Sequence, residues 1–170
     1  MFGKNKITGK AFFNDVKKDE LLVTSRFFTL QGEGPYRGYP AYFIRLANCN
    51  LACSFCDTYF DSGDWHSFAS LLEEAEHVID DFFKRRNMDT PIWAKGFSKK
   101  IVLVITGGEP SLQKNVSVFL KHAQSYFQYT QIESNGTMVL PDLPDHTMLV
   151  VSPKCLEKHG KVIRYLQPNH

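Results

Sequence analysis

The chain has 170 residues, with 20 Lys and Arg against 18 Asp and Glu, for a formal charge of +2. That length suits one domain, and the near-neutral balance speaks against a general polyanion-binding surface. An apolar fraction of 43% with 14% aromatics can bury a real core, which excludes wholesale disorder, and no apolar run approaches the ~20 residues that cross a bilayer.

The N-terminal MFGKNKITGKAFF lacks a long apolar segment followed by a small-residue cleavage site. No secretory signal is therefore expected, and the cytoplasm is the expected compartment. Residues 23–30, VTSRFFTL, are rich in β-branched and aromatic types and run into the Gly-rich QGEGP, which reads as a strand and its loop. Residues 41–47, AYFIRLA, give a second strand. From 67 to 86, Phe68, Leu71, Leu72, Ala75, Val78, Ile79, Phe82 and Phe83 recur at helical spacing. Lys84, Arg85 and Arg86 stand where they complement the negative end of that helix. His66 and His77 are placed in this helical region, as surface residues.

Residues 101–105, IVLVI, are uniformly apolar, as in a parallel strand covered on both faces. TGGEP follows, then a helix with Leu112, Val116, Phe119, Leu120, Ala123 and Phe127 on one face. Strands at 129–133 and 147–151 end at SNGT and SPK. Strand, helix and strand joined by crossovers predict parallel α/β architecture, with the site built from the loops at the C-terminal strand ends. No repeat, low-complexity tract or linker interrupts the chain, and residues 1–170 read as a single domain. The histidines form no metal-spaced pair, Trp65 and Trp93 show no nucleic-acid pattern, and KGFSKK at 95–100 reads as a solvated loop.

The four cysteines carry the chemistry. Cys49, Cys53 and Cys56 lie within eight residues, directly after the second strand, and Cys155 lies about a hundred residues on. A disulfide framework would spread them more evenly and suits a secreted chain. Three soft thiolates on one short loop suit a [4Fe–4S] cluster whose fourth iron has no protein ligand. A structural zinc site closed by Cys155 or a histidine, and unrelated thiols, are the alternatives that spacing leaves open.

Beyond spacing, Cys-x3-Cys-x-Phe-Cys with Phe55, together with TGGEP at 106–110, resembles the radical S-adenosylmethionine superfamily. FFTLQGEGPYRGYPAYFIRLANCNLACSFCDT at 27–58, ESNGT and SPK resemble its 7-carboxy-7-deazaguanine synthase family. The resemblance covers roughly residues 24–154, with core motifs over 27–154. It implies a partial (β/α) barrel of the radical SAM type, with parallel strands and crossover helices. It also implies a lyase of queuosine biosynthesis that converts 6-carboxy-5,6,7,8-tetrahydropterin to 7-carboxy-7-deazaguanine. In such enzymes the reduced cluster cleaves S-adenosylmethionine, and the adenosyl radical takes hydrogen from the pterin before the ring contracts and ammonia leaves.

By that resemblance Cys49, Cys53 and Cys56 hold the cluster. Phe55, Gly107, Gly108, Glu109, Ser134, Asn135, Ser152, Pro153 and Lys154 bind S-adenosylmethionine, and the Thr58 hydroxyl ligates Mg²⁺. Leu30, Gln31, Gly32, Glu33, Arg45, Thr106 and Glu133 bind the pterin. Asp57 is near but is not assigned. Each has a blander reading: a tight turn with Glu109 in the first helical turn, a core aromatic at Phe55, Asn-Gly turn chemistry at 135–136, an N-cap at Thr58, or a structural ion pair at Arg45. The resemblance further implies a homodimer and an electron donor such as flavodoxin or ferredoxin, with no nucleic acid or membrane partner. A glycyl-radical-enzyme activase of the same superfamily and a zinc-stabilised binding module are rival functions. A complete (β/α)₈ barrel takes about 250 residues, so the chain is expected to be either a compact variant or a piece truncated at the C-terminus.

Overall fold

The structure, a computed structural model, describes residues 5–7, 18–86, 100–158 and 161–169. Trp93 and residues 95–99 of the basic loop lie outside them. The first strand, β1 (Glu20–Leu30), pairs antiparallel with β2 (Pro40–Leu46), in register Phe27↔Phe43 and Thr29↔Ala41. The stretch between them is too short for the dozen or more residues that a parallel crossover needs, so it folds as a hairpin. Gln31 N–H donates to Tyr39 O (2.8 Å), Gly38 N–H donates to Gln31 O (2.7 Å), and Gly34 turns the chain at φ +71°.

A four-residue strand, β3 (Asp64–Ser67), pairs antiparallel with the start of β1. Its last residue caps α1 (Phe68–Lys84), the Ser67 hydroxyl accepting from Ser70 N–H at 3.1 Å. His66 therefore sits on a strand rather than in the helix, and its Nε2 lies 2.6 Å from Arg26 Nη1. His77 is exposed on α1, as expected. At the helix end Arg86 donates to Phe82 O at 3.2 Å, satisfying one of the carbonyls the last turn leaves open.

β4 (Val102–Gly107), β5 (Tyr129–Ser134) and β6 (Thr147–Val151) follow β2 in parallel, giving one mixed sheet in the order β3-β1-β2-β4-β5-β6. The helix expected from 112 is shorter, α2 (Val116–Ala123), after a 3₁₀ turn at Pro110–Leu112. Gln113 explains the break. Its Oε1 accepts from Leu22 N–H (2.9 Å), and its Nε2 donates to Leu22 O (2.9 Å) and Ala47 O (3.2 Å). These bonds satisfy strand backbone beside the bulge between Val23 and Ser25 and hold Gln113 out of helical geometry.

Side chains alternate across the sheet with period two. Tyr42, Ile44, Leu46, Leu103, Ile105 and Ile132 pack with Leu71, Ile79, Phe119 and Leu120 of the helices. The other face carries Phe27, Phe43, Val102, Val104 and Tyr129. A second two-stranded sheet, β7 (Cys155–Lys158) with β8 (Lys161–Tyr165), was not expected from the sequence. It is tied back through Ser54 N–H to Glu157 Oε2 (3.1 Å) and Leu166 N–H to Lys154 O (2.8 Å). No helix among the described residues is long and apolar enough to cross a membrane.

Candidate active site

The C-terminal ends of β2, β4, β5 and β6 open on one cavity of about 380 Å³. Its wall includes Cys49, Cys53 and Cys56 from the loop after β2, Thr106 to Gly108 from β4, and Glu133 to Asn135 from β5. Val150, Ser152 and Lys154 come from the end of β6 and the stretch after it. Glu33, Arg45, Phe55 and Thr58 complete the predicted set that the fold brings together. Parallel strands do this because they send all their outgoing loops to one edge. Leu30, Gln31, Gly32, Glu109 and Pro153 do not line the cavity.

The glycines of TGGEP are required by the backbone of the cysteine loop. Gly107 has φ +116°, and a Cβ there would collide with the backbone of Leu46. A Cβ on Gly108 would overlap the Asn48 carbonyl. Two hydrogen bonds stitch the loops together, from Gly108 N–H to Leu46 O (2.9 Å) and from Glu109 N–H to Asn48 O (2.8 Å). Asn48 itself takes φ +74°.

Glu109 is fully buried behind the cavity. Its Oε1 accepts from Ser111 N–H (3.0 Å), Ser111 Oγ (2.6 Å) and Ser134 Oγ (2.8 Å), and its Oε2 accepts from Asn135 N–H (2.7 Å). The carboxylate thus bridges β4 to β5 and caps the 3₁₀ turn, a set of charge-assisted bonds that closes the floor of the site. Asn135 in turn reaches Asn50 Oδ1 (3.0 Å) and Cys49 Sγ (3.9 Å).

The four cysteines are free thiols. Among the described residues no three His, Cys, Asp or Glu groups close on a single-ion position. The donor set on the loop is three sulfurs, with Leu51 N–H (3.4 Å) and Asn135 Nδ2 turned toward Cys49 Sγ. Soft thiolates with amide donors around them suit an iron–sulfur cluster. Cys155 begins β7, beside the loop that Glu157 holds. Burial pushes the Cys49 thiol up to about 11, against a lowering by the Leu51 N–H. Burial also raises Cys53, with Lys154 pulling it down.

The folded state favours the neutral Cys49 thiol, so metal-free protein keeps this contribution below the ordinary thiol value of 9.0 and loses it as pH climbs toward about 11. Metal-free wild type is therefore expected to lose more melting temperature between pH about 8 and about 10.5 than Cys49→Ala does. Thermal melts of the two at both pH values check this, and parallel losses would contradict it.

Arg45 is half-buried, with its guanidinium 5.1 Å over the Phe27 ring. Among the described residues it has no carboxylate at ion-pair distance, so the structural-pair reading finds no support there. Phe55 is 54% exposed in the cavity wall, rather than a core aromatic. The Thr58 hydroxyl donates to Asp57 Oδ1 (3.1 Å) and caps no helix. Glu33 stands against Glu133, and burial followed by that neighbour raises its carboxyl above the usual range. Gln31 is buried and donates from Nε2 to Glu133 Oε1 (3.0 Å). Leu51, Phe60 and Val150 also line the cavity. None of the three stands out in the sequence; Val150 is placed there by its register beside Glu133.

No protein-family model matches the chain. It is 36% identical over 156 residues to a 7-carboxy-7-deazaguanine synthase of Rhodospirillum rubrum, covering 91% of this chain and 57% of that protein. With the Rickettsia prowazekii protein of the same name it shares 37% over 135 residues, covering 79% and 52%. The crystal structure of QueE from Escherichia coli matches with a TM-score of 0.56 at 26% identity, over 91% of this chain and 68% of that one. The chain spans about half the length of the curated relatives it matches. Over the stretch it shares with them, the chain is similar to the 7-carboxy-7-deazaguanine synthases.

Proposed function

We propose that this chain is a radical S-adenosylmethionine enzyme that converts 6-carboxy-5,6,7,8-tetrahydropterin into 7-carboxy-7-deazaguanine, its sheet forming an arc of the barrel that such enzymes use. The observation that carries the reading is an arginine with no carboxylate at ion-pair distance among the described residues, and two facing carboxylates, in the same cavity as three clustered thiols. Cys49, Cys53 and Cys56 would hold the [4Fe–4S] cluster. Gly107, Gly108, Ser134, Asn135, Ser152 and Lys154, with Phe55, would form the berth for S-adenosylmethionine. When bound, the two cofactors supply hydrogen-atom abstraction.

The chain's own groups do the positioning. Arg45 would take the substrate carboxylate through its guanidinium fork. Glu33 and Glu133 would accept from the amino-pyrimidine edge, and the Thr58 hydroxyl, beside Asp57, would offer Mg²⁺ a hard oxygen. Glu109 acts from behind, fixing the ends of β4 and β5. A cavity of about 380 Å³ suits a small ligand held beside a cofactor. Cytoplasmic location, a homodimer, a flavodoxin- or ferredoxin-type donor and a single domain belong to the same proposal.

Arg45→Gln should weaken binding of 6-carboxypterin about 10- to 100-fold, the scale of a lost charged hydrogen-bond pair. It should leave unsubstituted pterin and the iron content unchanged. Fluorescence titration with both pterins reads the split, and equal losses would remove Arg45 from substrate recognition. The reaction itself is tested by anaerobic reconstitution followed by mass analysis of the product. A reconstituted, reduced protein that leaves the carboxypterin unconverted contradicts the assignment.

A further inference from the structure

Gln131 lies on β5, two residues before Glu133 and on the same face of the sheet. It is fully buried. Its register neighbours are Val104 on β4 and Met148 on β6. The turn after β1 packs on it, since a Cβ on Gly34 would come within 2.7 Å of both Gln131 Oε1 and Val150 Cγ2. A polar side chain in such company costs free energy unless its groups are used.

Only half of it is used. Gln131 Nε2 donates to Glu133 Oε1 at 3.1 Å, while Gln131 Oε1 is buried with no hydrogen-bond partner. A residue kept for packing alone would do better as Met or Leu, which leave no acceptor orphaned. Gln31 Nε2 donates to the same Glu133 oxygen at 3.0 Å, and Gln31 Oε1 accepts from Glu33 N–H at 3.1 Å. Two buried amides, one from β5 and one from the turn after β1, therefore grip one oxygen of Glu133. Glu33 stands against the same carboxylate, at the cavity wall.

We propose that Gln131 is a positioning residue that, with Gln31, fixes the Glu133 carboxylate to receive the amino-bearing pyrimidine edge of the substrate. The inference rests on the pterin reading above. A locked carboxylate selects for a ligand that presents N–H donors side by side and against one that presents a carbonyl there.

The test uses the full chain, with 6-carboxypterin and 6-carboxylumazine as probes, the second carrying a carbonyl in place of the 2-amino group. Gln131→Met matches the volume and removes the donor, and Gln131→Glu puts a second carboxylate against the first. Gln131→Met should melt no lower than wild type, because the orphaned acceptor goes with the amide. It should weaken 6-carboxypterin about tenfold and 6-carboxylumazine less than about twofold, and Gln131→Glu should show the same ordering with a larger loss. Iron content should stay at the wild-type value in both. Unchanged affinity, equal losses for the two probes, or failure of both variants to fold would each reduce Gln131 to a structural residue. Absence of 6-carboxypterin binding by wild type would instead overturn the pterin reading, and this inference with it.

Discussion

Cys53→Ala should reduce the iron and sulfide recovered after anaerobic reconstitution to background, while Cys155→Ala should leave both at the wild-type level. The sequence places three thiols on one short loop, and the fold puts all three in the wall of one cavity. Removing one leaves a cluster iron without its thiolate, and no described His, Asp or Glu stands ready to close a three-group site in its place. Cys155 belongs to β7, on a separate two-stranded sheet. Retention of iron by Cys53→Ala, or its loss from Cys155→Ala, would transfer the fourth cysteine into the ligand set and with it the site's character.

Gly108→Ala should be more damaging to the fold than any change at a cavity-lining side chain. The new methyl would overlap the Asn48 carbonyl oxygen and stand 2.5 Å from its carbon. Neither atom is the end of a flexible side chain, so the loop after β4 must separate from the cysteine loop. That would break the Gly108–Leu46 and Glu109–Asn48 backbone bonds and unseat the buried Glu109 carboxylate from its four donors. A loss of about 3–5 kcal/mol is expected, in the range reserved for backbone clashes and disrupted buried networks. Denaturant unfolding of the metal-free protein measures it, and a loss under about 1 kcal/mol would show that the two loops are not locked together.

The site was more legible in the sequence than the sheet. Cys49, Gly107, Glu133 and Ser152 each follow or end a strand expected from the sequence, and parallel strands put such positions on one edge whatever the details of packing. The β1–β2 hairpin ran against the expectation of parallel strands throughout, although the short stretch QGEGPYRGY already excludes a crossover. β3 is four residues of DWHS with no alternation to read. β7 and β8 are short and largely exposed, with no buried face among the described residues to give a pattern, and they depend on distant partners, among them Ser54 for Glu157. Gln113 and Gln131 carried no signal, because a glutamine's use is decided by what stands across from it: strand backbone in one case, a carboxylate in the other. Glu109 was read as a cofactor contact; the structure shows four protein donors already on its oxygens.

An iron site left open beside a substrate cavity underlies the proposed chemistry. Its most direct test is electron paramagnetic resonance of the anaerobically reconstituted, dithionite-reduced protein, recorded before and after addition of S-adenosylmethionine. A reduced [4Fe–4S] signal is expected whose g-values shift on addition, as a vacant iron takes up the new ligand. A signal indifferent to S-adenosylmethionine, or colourless protein carrying one zinc per chain, would contradict it.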